Sequence, residues 1–347
     1  MVAFYTAALA VEPPVQAQSV AYSNDGGIGW MRFAGNPVID LGMADFRDPY
    51  VFRHEASEAW IMVVVKSCEQ TAQIYRSENL INWRLASEIS AGPAPGRVWE
   101  CPTMVELPVE SGTGTRWLFK VDALHDAPGA GALYRTGSFD GFRFVPDGHW
   151  QVIDQGRDFY AAIAWNGPRD AAGRPVWIGW MGNHAYQHEF PKRGWRGVMS
   201  LPRRMGLAQT GDDLCLTQHI EPAVARLFGA AAPLGLSSIP VASRIDIAPD
   251  FTGTLTVHDG KGSRFTLSAK DAQWQLERRD LVLPFLDANA TLDRAPDEGI
   301  SLWIDSETIE ALTANGTGSA SFQHRPASGT LQVETDQSGM LSLAMLA

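Results

Sequence analysis

The sequence predicts an all-β protein in which a β-propeller is followed by a β-sandwich. Two observations lead to this fold class. Short β-rich runs, each closed by a turn, recur over residues 1–220, where helical periodicity is almost absent. The alternation of strand and turn then resumes after a run rich in Ala, Pro and Gly, which indicates a second all-β unit.

The propeller is predicted over residues 1–220 because the strands occur in groups of four, with Gly, Asp or Asn turns between them. One turn followed by an aromatic residue recurs three times, as SNDGGIGW from Ser23, SENLINW from Ser77 and SFDGFRF from Ser138. An internal repeat of this kind is typical of propeller blades. A generic sandwich is compatible with the same periodicity, so both architectures stay open at this point.

Residues 221–241 predict a linker that begins with a short helix, EPAVARLFGA, and continues as Ala-, Pro- and Gly-rich chain. Residues 242–347 alternate again, as in FTGTLTVHD from Phe251, and predict a β-sandwich. This second domain holds few groupings of candidate catalytic residues, so we expect the chemistry in the first domain.

The charge balance limits the partners of the protein. Lys and Arg number 28 against 39 Asp and Glu, and the formal net charge is -11. Because such a surface repels phosphate backbones and anionic lipid, we expect neither nucleic acid nor a membrane as a partner, whereas a neutral sugar is compatible. No basic residue precedes Arg32, so we interpret the apolar N-terminal stretch as a buried strand and expect a cytoplasmic protein.

The cysteines and histidines predict no metal site. The three cysteines, Cys68, Cys101 and Cys215, are too widely spaced for a disulfide framework or a zinc motif. His184 and His188 have an i, i+4 spacing, but this spacing brings ligands together only on a helix, and the segment is predicted to be a loop. We therefore expect neither a metal nor another cofactor.

Two carboxylates occur in an unusual sequence context, close to an aromatic residue and a Pro and just before an apolar strand. Asp48 lies in ADFRDP and Glu100 in WECP. Glycoside hydrolysis needs two carboxylates that flank the scissile bond, and acids at the entrance of inner strands would face the central funnel of a propeller. Carboxylates that only bind loop amides would occur in the same context, so the local sequence leaves both interpretations open.

The two motifs resemble those of a known family. Arg47-Asp48-Pro49 is similar to the RDP motif of glycoside hydrolase family 32, the β-fructosidases, and WECP at Trp99–Pro102 is similar to its ECP motif. Further stretches resemble the family in the same order along nearly the whole chain: FYTA from Phe4, AYSNDGGIGW from Ala21, AGNPVI from Ala34, DQGRDFYAA from Asp154, IGWMGN from Ile178, WRGVMSLPR from Trp195 and WIDSETIEALTANG from Trp303. His184 departs from the pattern, because the family usually has an aromatic residue there.

The resemblance implies a five-bladed propeller followed by a β-sandwich, and a retaining double displacement on fructosyl bonds of sucrose or a fructan. By the matched motifs, Glu100 is the general acid/base. Asp48 stabilises the transition state by binding fructosyl hydroxyls, and Arg47 assists it.

Three further residues are expected near the substrate. Trp99 is predicted to contact a sugar face, although buried Trp residues more often belong to a core. Asp158 and Tyr160 are expected to orient the acid/base.

The family's nucleophile, an Asp in a WMNDPNG-like motif, has no counterpart in this sequence. The nearest string, Ser23-Asn24-Asp25-Gly26, belongs to the later AYSNDGG turn. Met1 aligns inside the family's second blade, so the first blade, and the nucleophile with it, is expected to be missing. We therefore expect the chain alone to be nearly inactive and to self-associate through exposed propeller edges.

Three functions are compatible with these motifs. The leading hypothesis is an exo-acting β-fructosidase of the invertase, levanase or inulinase type. A non-catalytic fructan- or sucrose-binding protein and a fructosyltransferase are the alternatives. Turnover of sucrose or levan distinguishes the enzyme from the binding protein, and product size distinguishes the hydrolase from the transferase.

Overall fold

The computed structural model describes residues 1–90, 96–110, 112, 114–124, 126–167, 169–190, 194, 196–235 and 237–346. Trp195 of the WRGVMSLPR stretch, Leu236 of the predicted linker and Ala347 lie outside the described residues. The described part is nearly all-β, which confirms the predicted fold class. It divides into two compact units. The first comprises Met1–Leu107, Gly114–Ala127 and Leu133–Gln151, and the second comprises Pro108–Thr113, Pro128–Ala132 and Val152–Ala347.

Three sheets lie almost wholly in the first unit, and their strands follow one another in chain order, except that β12 pairs with β10 of the third sheet. This meander order is typical of propeller blades. The first sheet has three strands, whereas the second has four and the third has five. The strands are β1 (Val2–Leu9), β2 (Val15–Tyr22), β3 (Met31–Arg32), β4 (Phe46–His54), β5 (Ala59–Lys66), β6 (Thr71–Ser77), β7 (Arg84–Ser90), β8 (Glu100–Pro108), β9 (Thr115–Asp122), β10 (Ala132–Phe139), β11 (Phe144–Pro146) and β12 (Gln151–Val152).

The first two sheets pack around a shared apolar core. Strand β5, AWIMVVVK, is apolar on both faces, and its residues Ile61–Val65 have no exposed surface. Met62 and Val64 of this strand pack with Phe46, Ile39 and Tyr75, and the partly buried Phe4 of β1 joins them. Burial of each large apolar side chain stabilises the fold by about 1.5–3 kcal/mol. This core therefore fixes β4 against the first sheet. Strand β4 carries the Arg47-Asp48 motif.

The second unit begins with a four-stranded antiparallel sheet and continues with two six-stranded sheets. The four strands are β13 (Tyr160–Ala164), β14 (Val176–Trp180), β15 (Arg203–Thr210) and β16 (Asp213–Ile220). The later strands are β17 (Ala232–Pro233), β18 (Ser238–Pro240), β19 (Ser243–Ile247), β20 (Thr254–His258), β21 (Ser263–Lys270), β22 (Gln273–Asp280), β23 (Ala288–Asp293), β24 (Ile300–Ile304), β25 (Thr308–Thr313), β26 (Ser319–Gln323), β27 (Thr330–Thr335) and β28 (Leu341–Met345).

The two six-stranded sheets form a β-sandwich. One has the order β17-β28-β19-β24-β25-β26 and the other β18-β27-β20-β21-β22-β23. Their apolar faces share one core, to which Ile245 and Leu302 contribute from the first sheet and Phe265 and Trp274 from the second. Strands β17 and β18 lie within the predicted linker, where they pair with β28 and β27 of the sandwich.

Among the described residues, helical structure is confined to short segments. The segment predicted to begin the linker contains one helical turn, α1 (Pro222–Ala225). It begins with Pro222, and Pro is favoured at the first position of a helix. Four short 3-10 turns span Glu55–Ser57, Gln187–Glu189, Pro284–Leu286 and Ser338–Met340. Within the described part of the chain, no helix is long and apolar enough to cross a membrane.

Within the second unit, a buried arginine connects the four-stranded sheet to the sandwich. Arg203 of β15 has no exposed surface. Its guanidinium donates hydrogen bonds to Glu310 of β25 at 2.6 Å, to Ser321 of β26 at 2.6 Å and to Asp154 at 3.1 Å. Because a buried charge must keep its partners, these bonds fix the segment before β13 against β25 and β26.

A buried histidine should make the stability of the second unit dependent on pH. His324, directly after β26, is 1% exposed, and its Nδ1 lies 3.2 Å from the hydroxyl of Ser263. Burial lowers the pKa of His324 from 6.5 to about 4. As the pH falls from about 6.5 to 4, His324 becomes protonated in the unfolded chain but stays neutral in the folded chain. The free energy of unfolding should therefore fall by up to about 3 kcal/mol. Urea unfolding at pH 7 and pH 4.5 measures this loss.

The control for this prediction separates His324 from other titrating groups. His324→Gln should lose most of the pH-dependent part in this window, whereas His188→Gln, at a histidine whose side chain is 69% exposed, should behave as the wild type. Equal pH dependence in the wild type and in His324→Gln would contradict the assignment.

Candidate active site

The Arg47-Asp48 motif lies at an irregularity of strand β4. The pairing of β4 with β5 shifts register between Arg47 and Tyr50, and Asp48 has a left-handed backbone with φ 64°. Asp tolerates this conformation better than most residues do. A register shift of this kind turns a side chain out of the regular ladder and commonly occurs next to functional sites.

Asp48 is held in this conformation by two hydrogen bonds. Its backbone N–H donates to the Thr6 hydroxyl at 2.9 Å, and its Oδ2 accepts from the backbone N–H of Cys101 at 2.8 Å. The Thr6 hydroxyl donates to Gln18 Oε1 at 3.0 Å, and Gln18 Nε2 donates to the carbonyl of Phe46 at 2.7 Å. Strands β1 and β2 therefore support the irregularity from the first sheet.

Glu100, the first residue of β8, forms an ion pair with Arg47. Glu100 Oε1 lies 3.1 Å from Arg47 Nη2, and Asp45 Oδ1 lies 2.8 Å from Arg47 Nη1. The side chains of Arg47 and Glu100 are 18% and 22% exposed, so a ligand can reach them. Burial lowers the pKa of Arg47, but the hydrogen bond to Asp45 and the charge of Glu100 outweigh it, so the pKa is raised overall and the guanidinium stays charged. The structure thus brings Arg47, Asp48 and Glu100 together.

A buried ion pair that was not predicted from the sequence lies next to Cys101. Lys120 and Asp122 of β9 have no exposed surface and pair with each other, and Lys120 Nζ also lies 3.2 Å from the carbonyl of Cys101. Burial raises the pKa of the Cys101 thiol, which keeps it neutral. The signal was present in TRWLFKVD, because two opposite charges two residues apart in an apolar strand lie on the same face.

Trp99 belongs to the core of the first unit. It has no exposed surface, and its ring makes edge contacts with Phe119 and Trp150, at 5.9 and 5.4 Å between ring centres. A sugar contact through Trp99 would require the ring to become exposed first.

Asp158 lies in the second unit, where it is fully buried. Its Oδ2 accepts hydrogen bonds from Arg278 Nη1 at 2.7 Å and from the backbone N–H of Gln323 at 2.8 Å. The hydroxyl of Tyr186 donates to Oδ1, and burial raises the pKa of Tyr186, so this hydroxyl keeps its proton. Asp158 is therefore the counter-ion of a buried arginine on β22 of the sandwich.

Tyr160 starts β13 of the same unit and is 3% exposed. Its ring packs edge-on against Trp180 and His184, at 6.3 and 5.1 Å between ring centres. His184, at the position where the family usually has an aromatic residue, therefore packs between two aromatic rings. The expected roles of Asp158 and Tyr160 in orienting the acid/base stay predictions.

Comparison with known proteins agrees with the motifs. Residues 1–218 match the model of the "Glycosyl hydrolases family 32 N-terminal domain". The extracellular exo-inulinase of Aspergillus awamori is 37% identical over 235 residues, which cover 61% of this chain and 43% of that protein. The levanase of Bacillus subtilis is 41% identical over 200 residues, which cover 55% of this chain and 29% of that protein. The chain matches less than half the length of these relatives.

Solved structures show the same fold. The crystal structure of exo-inulinase from Aspergillus awamori matches 100% of this chain and 79% of that chain, with a TM-score of 0.83 and 25% identity. The β-fructofuranosidase of Schwanniomyces occidentalis, complexed with fructosyl-erythritol, matches 99% of this chain and 78% of that chain, with the same TM-score and 25% identity. These neighbours are β-propeller plus β-sandwich enzymes, as the sequence predicted.

The support of Asp48 by the first sheet can be tested at Thr6. Thr6→Val removes the acceptor for the backbone N–H of Asp48 and the donor to Gln18, so it should destabilise the protein by about 1–3 kcal/mol. Thr71→Val in β6 is the matched control, because the Thr71 hydroxyl donates to the carbonyl of Glu69 in an exposed hydrogen bond. Urea unfolding compares the two variants, and an equal cost for both would contradict the proposed support.

Proposed function

This chain belongs to glycosyl hydrolases family 32, and on that premise we propose that it is a β-fructosidase-type glycoside hydrolase acting on inulin, levan or sucrose. The observation that carries the proposal is the Arg47–Glu100 ion pair beside Asp48, formed by two motifs far apart in sequence. Exo-inulinase and levanase among the relatives support this substrate class.

The arrangement gives each group a distinct part in a retaining mechanism. Glu100, reachable from solvent, donates a proton to the leaving-group oxygen and later takes one from the attacking water. Asp48 carries a charge that offsets the positive charge developing on the fructosyl ring. Arg47 stays ionised and holds Glu100 in position, and its planar fork of donors suits sugar hydroxyls as well as carboxylates.

The nucleophile is the missing group. A retaining enzyme needs a second carboxylate about 5–5.5 Å from the acid/base, and no residue of this sequence matches the family's WMNDPNG-like motif. We therefore propose that the chain by itself binds a fructosyl group but releases little fructose. The second candidate function is a non-catalytic fructan- or sucrose-binding protein, which would use Arg47, Asp48 and Glu100 to recognise fructose. A fructosyltransferase would use the same groups, and product size distinguishes it.

Fructose release from sucrose, inulin and levan tests this proposal. The purified chain should show little turnover. Co-expression with a first blade that carries the WMNDPNG-like motif should restore turnover. In the restored enzyme, Glu100→Gln should lower kcat by on the order of 10²–10⁴, because the amide cannot donate the proton. Glu106→Gln, at an exposed residue of the same strand, is the matched control and should keep the rate.

Three results would change the proposal. Wild-type rates for Glu100→Gln would exclude Glu100 as the acid/base. Ordinary turnover by the purified chain, abolished by Glu100→Gln, would show that another residue of this chain is the nucleophile. Sugar binding without turnover in the presence of the added segment would favour the binding protein.

We also propose that the chain self-associates through β1. This strand ends the sheet order β1-β2-β3, and its sequence, VAFYTAAL, contains no charged residue. In the described part of the chain, no strand pairs with its other edge. A long uncharged edge strand is a template for pairing with another chain.

Light scattering over a range of concentrations tests the association. The mass should rise with concentration in the wild type, and Ala8→Lys in β1 should suppress the rise by placing a charge on the edge. Leu85→Lys adds the same charge to β7, the last strand of the second sheet, and should leave the association unchanged. A compact monomer at high concentration would count against the proposal.

A further inference from the structure

The Lys120–Asp122 ion pair lies in the first unit, and both side chains have no exposed surface. Lys and Asp are almost never fully buried unless they are paired, and even a paired burial carries a large desolvation penalty. A hydrophobic pair of similar volume would fill the same space at no such cost. What else the pair contacts therefore bears on its role.

The contacts of Lys120 lead to both candidate carboxylates. Lys120 Nζ donates to the carbonyl oxygen of Cys101 at 3.2 Å. The backbone N–H of the same Cys101 donates to Asp48 Oδ2 at 2.8 Å. Cys101 also directly follows Glu100 in the chain. Cys101 thus accepts a hydrogen bond from Lys120 through its carbonyl and donates one to Asp48 through its N–H, and it directly follows Glu100.

The backbone at this point needs such a restraint. Cys101 has φ 46° and Asp48 has φ 64°, and both values lie in the left-handed region that non-glycine residues rarely adopt. Strained residues of this kind persist only where their surroundings fix them. A charged donor on the Cys101 carbonyl is a stronger restraint than a neutral one.

The electrostatic surroundings of the Cys101 thiol agree with this geometry. Burial is the main cause of its raised pKa, the charges of Asp122, Asp48 and Glu100 raise it further, and Lys120 lowers it. The thiol thus lies within range of the buried pair and of both candidate carboxylates.

We propose that Lys120 is a positioning residue for Asp48 and Glu100. Its ammonium group fixes the Cys101 backbone, and through it the placement of the two carboxylates relative to each other. Asp122 is the counter-ion that allows Lys120 to be buried. The inference rests on the proposed function, because it is there that Asp48 and Glu100 contact a fructosyl group.

Two variants separate positioning from mere stability. Lys120→Met and Asp122→Asn each break the same buried pair, so both should lower the midpoint of thermal unfolding. Only Lys120→Met removes the donor to the Cys101 carbonyl, because the amine of Lys120 can still donate in Asp122→Asn. Two readouts compare them below their unfolding midpoints: the affinity for D-fructose by titration calorimetry, and the rate at which Cys101 reacts with a disulfide reagent. For the second readout the background is Cys68→Ser with Cys215→Ser, which leaves Cys101 as the one thiol.

The two variants should differ in both readouts. Lys120→Met should weaken fructose binding by about tenfold or more, the equivalent of one charge-assisted hydrogen bond, and should speed the labelling of Cys101 by a similar factor. Asp122→Asn should change both by only about threefold, since the donor remains. Equal changes in the two variants would overturn the proposal, because they would show that loss of the ion pair alone is responsible.

A double variant covers the case in which a single variant does not fold. Lys120→Met with Asp122→Leu leaves no uncompensated charge, and replacing both members of a buried pair by apolar residues is often neutral or stabilising. It still lacks the donor, so it should show the same loss of affinity and the same faster labelling. Wild-type values for this double variant would overturn the proposal.

A wild-type chain that binds no fructose would contradict the proposed function and not the positioning role. The labelling rates then decide alone. Faster labelling in Lys120→Met than in Asp122→Asn would support the restraint on Cys101, and equal rates would overturn it.

Discussion

Buried ion pairs organise this protein, as Arg203 and Lys120 show. Arg203 is enclosed with Asp154 and Glu310 in the second unit, and Lys120 with Asp122 in the first. Removing one partner of such a pair typically costs about 3–5 kcal/mol, because the other charge is left uncompensated. Each pair therefore fixes the segments that carry it. Both groups include or contact a family motif, since Asp154 begins DQGRDFYAA and Lys120 contacts Cys101 of WECP.

The candidate site is built from strained backbone held by such contacts. The left-handed conformations of Asp48 and Cys101 each cost on the order of 1–3 kcal/mol. The Thr6 hydroxyl and the Lys120 ammonium, from two different sheets, offset that cost. The carboxylates are thereby fixed before a sugar arrives. A preorganised charge of this kind stabilises a transition state without having to reorganise during the reaction.

Much of the fold followed from the sequence because apolar runs reveal strands directly. The run AWIMVVVK is apolar and rich in Val, a composition that favours a buried strand, and it forms β5 in the core shared by the first two sheets. Composition was a poorer guide for residues 221–241, where Ala, Pro and Gly indicated a linker. Strands β17 and β18 form there through pairing with β28 and β27, about a hundred residues further along the chain. A short strand of this kind is decided by its partner, and the sequence of the segment alone does not contain that information.

By itself, the sequence determined the all-β class and identified Arg47, Asp48 and Glu100 through two short motifs. Only the tertiary structure decided what surrounds them. It buried Trp99 in the core, it gave Asp158 a partner, Arg278, that lies 120 residues away, and it placed Lys120 against the carbonyl of Cys101. The physical reason is that periodicity shows which face of a strand is apolar but not what packs against it. The partner of a buried charge is set by contacts between distant segments, and these exist only in the folded chain.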